Sequence, residues 1–148
     1  KMAIYMKSDT QQKLLLAGAI LFLLGLLSGF VVPFVKNPRM GLSSHLEGVM
    51  NGMFLLLVGL LWGRLVLSCV VKKITIWLVL YATYGNFFFV QTGAIFGTNS
   101  ITPIASAGHQ GLPWQETIVS VGLTSVAAAI VAAVGILIWG LLFKIKVE

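Results

Sequence analysis

The sequence predicts an all-α integral membrane protein: a four-helix bundle with both termini cytoplasmic, assembled as a homo-oligomer. Two observations lead there. Only 9% of the 148 residues are charged and 58% are hydrophobic, whereas a soluble domain carries about a quarter charged residues. The apolar residues also fall into four runs, 14–35, 45–71, 74–97 and 114–143, within one domain spanning 1–148. Each run meets the roughly 20 residues needed to cross a bilayer.

The opening Lys1–Asp9 is polar and reads as a short tail. No small-residue cleavage site follows the first span, so that span is expected to be an anchor and not a signal peptide. Span one is rich in leucine and places Gly25 and Gly29 four apart, beside Gly18 and Ser28, a pattern that lets helices approach closely. Pro33 and the stretch Lys36-Asn37-Pro38-Arg39-Met40-Gly41 end it in a turn.

Span two opens on Ser43-Ser44-His45-Leu46-Glu47. Ser44 with Glu47 three residues later is a capping-box pattern, which starts a helix at His45 and accounts for Glu47 as a cap. At 100° per residue His45, Gly48, Gly52, Gly59 and Gly63 lie within roughly 60° of one another. A histidine thus heads a flat stripe, fit to receive either a planar macrocycle whose iron it binds or another helix. Asn51 lies inside an apolar helix, where an unpaired amide is costly; interhelical bonding and substrate contact both fit it. Arg64 is placed to snorkel toward the cytoplasmic headgroups.

Span three is the most aromatic. Tyr81, Tyr84, Phe88 and Gln91 follow helical spacing, while Asn86 points elsewhere. Two phenols with Asn86, Gln91 and Thr92 in one span favour a buried polar cavity, which Phe87, Phe88 and Phe89 would wall. The loop 98–112 is long for a bundle and is expected to fold back as a lid, with His109 as a solvated loop residue. Pro113 suits the first turn of span four, Trp114 the interfacial belt and Glu116 the positive helix end. Small residues from Ser120 to Gly135 favour tight helix contacts.

Basic residues set the topology. Lys1, Lys7 and Lys13 precede span one, Arg64, Lys72 and Lys73 flank the second turn, and Lys144 and Lys146 close the chain, against Lys36 and Arg39 on the other side. The net charge of +6 is scattered over helix ends, which argues against nucleic acid and for lipid headgroups. One cysteine, Cys69, permits neither an intrachain disulfide nor a c-type haem motif. No nucleophile elbow, Walker loop or HExxH is present, and a closed zinc site or proton-coupled transport lacks the residues it needs. A bound cofactor or a non-catalytic, helix-binding membrane subunit is what remains.

Leu14–Gly29, Asn37–Met53 and Gly108–Glu116 together resemble hydroxylaminobenzene mutases over nearly the whole chain. The spacing of His45, Asn51, Gly52 and Met53, with Asn86, is more distantly similar to styrene oxide isomerase. The first resemblance implies an isomerase that moves a hydroxyl within an aromatic hydroxylamine, giving 2-aminophenol from hydroxylaminobenzene. The second implies haem b held by His45 near the interface of a homotrimer, with Gly48 and Gly52 lining the cofactor and iron acting as Lewis acid. On this basis Asn51 and Asn86 are expected to hold the reacting group, and either Tyr84 or Tyr81 relays a proton or the substrate is held differently. The isomerase has an active-site tyrosine four residues beyond the second asparagine, where this chain has Val90. Epoxide rearrangement is the alternative activity, and a bacterial inner membrane is the expected location.

Overall fold

The computed structural model describes residues 9–145 and is all helical: α1 (Asp9–Gly29), α2 (Pro38–Leu61), α3 (Cys69–Phe96), α4 (Pro103–Ser106) and α5 (Pro113–Ile145). Lys1, Lys7 and Lys146, used above for topology, lie outside the described residues. All of these helices except the single-turn α4 are long and apolar enough to cross a membrane. Their outward side chains are large and apolar, among them Leu16, Leu23, Trp77 and Val131. Such a surface suits hydrocarbon, where helices satisfy their own backbone groups.

Helix α2 starts ahead of the expected His45. Asn37 is its cap: Oδ1 accepts from the Met40 N–H at 3.1 Å, and Pro38 fills the first helical position, where no donor is needed. Ser44 and Glu47 therefore fall inside the helix, and Glu47 is free of the capping role. The Ser44 hydroxyl is buried and has no partner among the described residues. At the far end, a 3-10 turn at Trp62–Arg64 stops α2, and the Ser68 hydroxyl caps α3 by accepting from the Val71 N–H at 3.4 Å. Helix α3 ends at Gly97, whose φ of +68° is open to glycine and whose N–H donates to the Gly93 carbonyl at 2.7 Å.

The tightest packing is α1 on α2. A Cβ on Gly48 would stand 2.5 Å from the Gly25 Cα, and one on Gly52 would stand 2.5 Å from the Phe22 nitrogen. Backbone meets backbone there, as small residues permit in membrane bundles. Helix α1 lies on the glycine stripe at Gly48, Gly52 and Gly59, and Gly63 meets nothing within 4 Å. Helix α3 packs on both α2 and α5. One apolar core gathers Leu14, Leu21, Leu55, Val58, Trp62 and Val79 toward the α2–α3 turn; a smaller one, Met40, Val90 and Ala94, lies toward the long loop. Asn51 on α2 and Asn86 on α3 lie between these two cores along the chain.

The loop 98–112 is tied to the helix ends. Asn37 donates from Nδ2 to the carbonyls of Ala105 and Ser106, each at 2.9 Å, and its own N–H reaches the Ala94 carbonyl at 3.0 Å. Lys36 donates to the carbonyls of Phe96 at 3.0 Å and Gln110 at 2.8 Å. The Glu116 carboxylate accepts from three backbone N–H groups, Asn99 at 3.0 Å, Ser100 at 2.9 Å and Gly111 at 2.8 Å. Asn37 is 0% exposed, so Asn37→Ala strips a cap and leaves buried partners unmet. A loss of about 3 kcal/mol is expected, read as unfolding in mild detergent, because a cap and a buried unsatisfied group each contribute about 1–2 kcal/mol.

Candidate active site

His45 is half-buried between α2 and α1. Its Nδ1 lies 2.7 Å from the Gly25 carbonyl oxygen. A carbonyl only accepts, so Nδ1 carries a proton, and in the neutral ring Nε2 is the nitrogen with the lone pair. The same carbonyl accepts from the Ser28 hydroxyl at 2.7 Å. Gly29 leaves the ring its room: a Cβ there would stand 3.0 Å from Nδ1. Nε2 makes no hydrogen bond with the described residues. An imidazole oriented through one nitrogen and free at the other is the form that ligates iron. The donor set thus fits a group that would hold haem iron. Among the described residues no three His, Cys, Asp or Glu side chains gather to hold a bare ion.

The amides converge on Glu47. Its Oε2 accepts from Asn86 Nδ2 at 2.6 Å and from Asn51 Nδ2 at 3.3 Å. Asn51 and Asn86 then line a half-open recess of about 250 Å³ between α2, α3 and α5, whose remaining wall is Ala82, Leu123, Val126, Ala127 and Ile130. An apolar cavity with a few convergent polar groups is the usual form of a small-molecule site. Asn51 and Asn86, drawn from different spans, are brought together.

Other expected residues are held elsewhere. The Tyr84 hydroxyl donates to the Ala17 carbonyl of α1 at 2.8 Å. Tyr81 lies 2.6 Å from Ser125 Oγ, and because Ser125 itself donates to the Gly122 carbonyl at 2.8 Å, the phenol is the donor. Neither phenol lines the recess. Phe87 packs against Gly48, Phe89 against Gly122, and Phe88 is exposed, so the wall is aliphatic and not aromatic. Gly48 and Gly52 are buried against α1, with Phe87 also over Gly48. His109 is half-buried beside Gly97 in the tied loop. Sequence reasoning missed Glu47 as the hub of the amides; its i,i+4 spacing to Asn51 was the available signal. The Gly25 carbonyl is backbone and left no signal.

The profile of the styrene oxide isomerase family matches residues 10–142. The chain belongs to the styrene oxide isomerase family. It is therefore an isomerase, and with its four apolar helices a membrane protein. Within this family's reach, two relatives from Ectopseudomonas oleovorans are similar to it. Hydroxylaminobenzene mutase HabA is 43% identical over 133 residues, covering 89% of this chain and 98% of that one. Hydroxylaminobenzene mutase HabB is 42% identical over 131 residues, covering 88% and 80%. No solved structure matches the chain significantly.

Proposed function

We propose that this protein converts hydroxylaminobenzene to 2-aminophenol by moving the hydroxyl from nitrogen to the ring within one molecule. The observation that carries the reading is the 42–43% identity, over nearly the whole chain, to two proteins named for that reaction. The recess supports it. Its aliphatic wall suits a benzene ring, and Asn51 and Asn86 meet a polar substituent at one end.

His45 would hold haem b through Nε2, with Gly25 fixing the ring from behind. When bound, haem supplies a Lewis acid for the N–O bond. Asn51 and Asn86 orient the hydroxylamino group by hydrogen bonds and steady the oxygen as the N–O bond lengthens. Ala82, Leu123, Val126, Ala127 and Ile130 keep water from the ring, so that the displaced hydroxyl is recaptured at the ortho carbon, which gives up its proton as the nitrogen gains one to become the amine. Gly48 and Gly52 act at one remove, by letting α1 come close enough for its carbonyl to reach the imidazole. The tyrosines, bonded to α1 and α5, support the bundle around these groups.

Around α2, His45 lies roughly 120° from Asn51 and roughly 160° from Glu47, by the 100° turn per residue. Within one chain His45 faces α1 and the other two face α3. A homotrimer in which the ligand face of one chain meets the recess of the next would complete the site, with both termini cytoplasmic in a bacterial inner membrane. The family match itself favours a second reading, rearrangement of an epoxide by the same groups.

The test uses protein purified in mild detergent. Hydroxylaminobenzene is expected to give 2-aminophenol, without label when the solvent is 18O-water, and to shift a Soret band present in the resting protein. Conversion of styrene oxide to phenylacetaldehyde, with none of the hydroxylamine consumed, would replace the first reading by the second.

A further inference from the structure

Glu47 lies behind the recess and not in its wall. It reaches the cavity only through Asn86 and Asn51, whose Nδ2 atoms it takes at 2.6 and 3.3 Å. A carboxylate oxygen facing an amide oxygen would oppose two acceptors, so each asparagine must turn its nitrogen toward Glu47 and its oxygen away. One N–H of each amide is consumed in this way. Acceptor positions then outnumber donors at the polar end of the recess, and the aliphatic wall adds neither.

Among the described residues no basic side chain pairs with Glu47; the ion pair found there is Lys13 with Asp9. Among the described residues no basic group competes with the amides for the carboxylate, and it is the partner that orients them.

We propose that Glu47 is a positioning residue that fixes the hydrogen-bond polarity of this recess, selecting aromatic ligands that carry an N–H or O–H donor over those whose polar atom only accepts. The inference rests on the recess being the substrate site. It gives the chemical reason that an arylhydroxylamine, with donors on both nitrogen and oxygen, suits this cavity better than an epoxide, which has none.

The probes are benzyl alcohol, a donor, and benzaldehyde, an acceptor of nearly the same shape. Their binding to the detergent-purified protein is measured by equilibrium dialysis against protein-free micelles. The wild type is expected to favour the alcohol by about ten-fold, the scale of one well-placed hydrogen bond. In Glu47→Gln the new side chain can pair with either end of each amide. The preference should fall below about three-fold, while haem content and the unfolding midpoint stay at wild-type values. Glu47→Asp, which draws the carboxylate back from Asn86, should narrow it too and serves if the glutamine variant does not fold. Equal binding of the two probes by the wild type overturns the proposal, as does an unchanged preference in either folded variant. Failure of the mutase reading looks different: no 2-aminophenol is formed, yet the preference and its loss in the variants persist.

Discussion

His45→Ala is expected to abolish haem retention and turnover together. The imidazole is the group on this chain best prepared to bind iron, because the Gly25 carbonyl at 2.7 Å holds its Nδ1 proton and leaves Nε2 free. Loss of an outer partner to a ligating histidine already costs about 10–100-fold in affinity or activity, so loss of the ligand itself should exceed 100-fold, roughly, in both. The visible spectrum and the rate of 2-aminophenol formation check this on one preparation. Circular dichroism should be unchanged, since the ring is half-buried and α2 is fixed by other contacts. An alanine variant that keeps its Soret band and its rate would remove His45 from the mechanism.

Gly48→Leu is the second large effect. Even a bare Cβ at this position would lie 2.5 Å from the Gly25 Cα and 2.9 Å from the Phe87 ring, so there is backbone on one side and an aromatic on the other. The backbone cannot yield by a rotamer change. Overpacking of a close-packed site costs about 1–3 kcal/mol where side chains can move, and more where they cannot. The variant is expected to lose most of its folded yield, measured as monodisperse protein recovered in detergent. Gly63 supplies the contrast: a Cβ there meets nothing within 4 Å, and Gly63→Ala should be recovered like the wild type. Equal yields from the two variants would mean that α1 and α2 do not meet as described.

The four membrane-length helices were legible because hydropathy alone marks such segments, and their number needs no knowledge of packing. Their ends were less so. Ser44-x-x-Glu47 has the form of a capping box, but Asn37-Pro38 is a stronger start and takes precedence, which turns Glu47 from a cap into a cluster residue. Asn51 and Asn86 were legible as costly amides in apolar spans, and the cost is met here by a shared carboxylate. The tyrosines were harder to read for a related reason. A phenol in a membrane span needs an acceptor, and sequence cannot say whether that is a substrate or, as for Tyr84, the backbone of a neighbouring helix. The triplet Phe87–Phe89 cannot wall one pocket, because consecutive residues of a helix point about 100° apart.

The pairing of His45 with Gly25 also bears on how the protein is made. Both groups belong to the hairpin of α1 and α2, which emerges from the ribosome before α3 and α5 exist. Once that hairpin inserts and its glycines close, the imidazole is aimed and its tautomer chosen. The amide cluster must wait for Asn86, on a helix synthesised later. Biogenesis therefore splits the candidate site in time, the histidine side maturing with the first half of the chain and the amide side only when the second half docks against it.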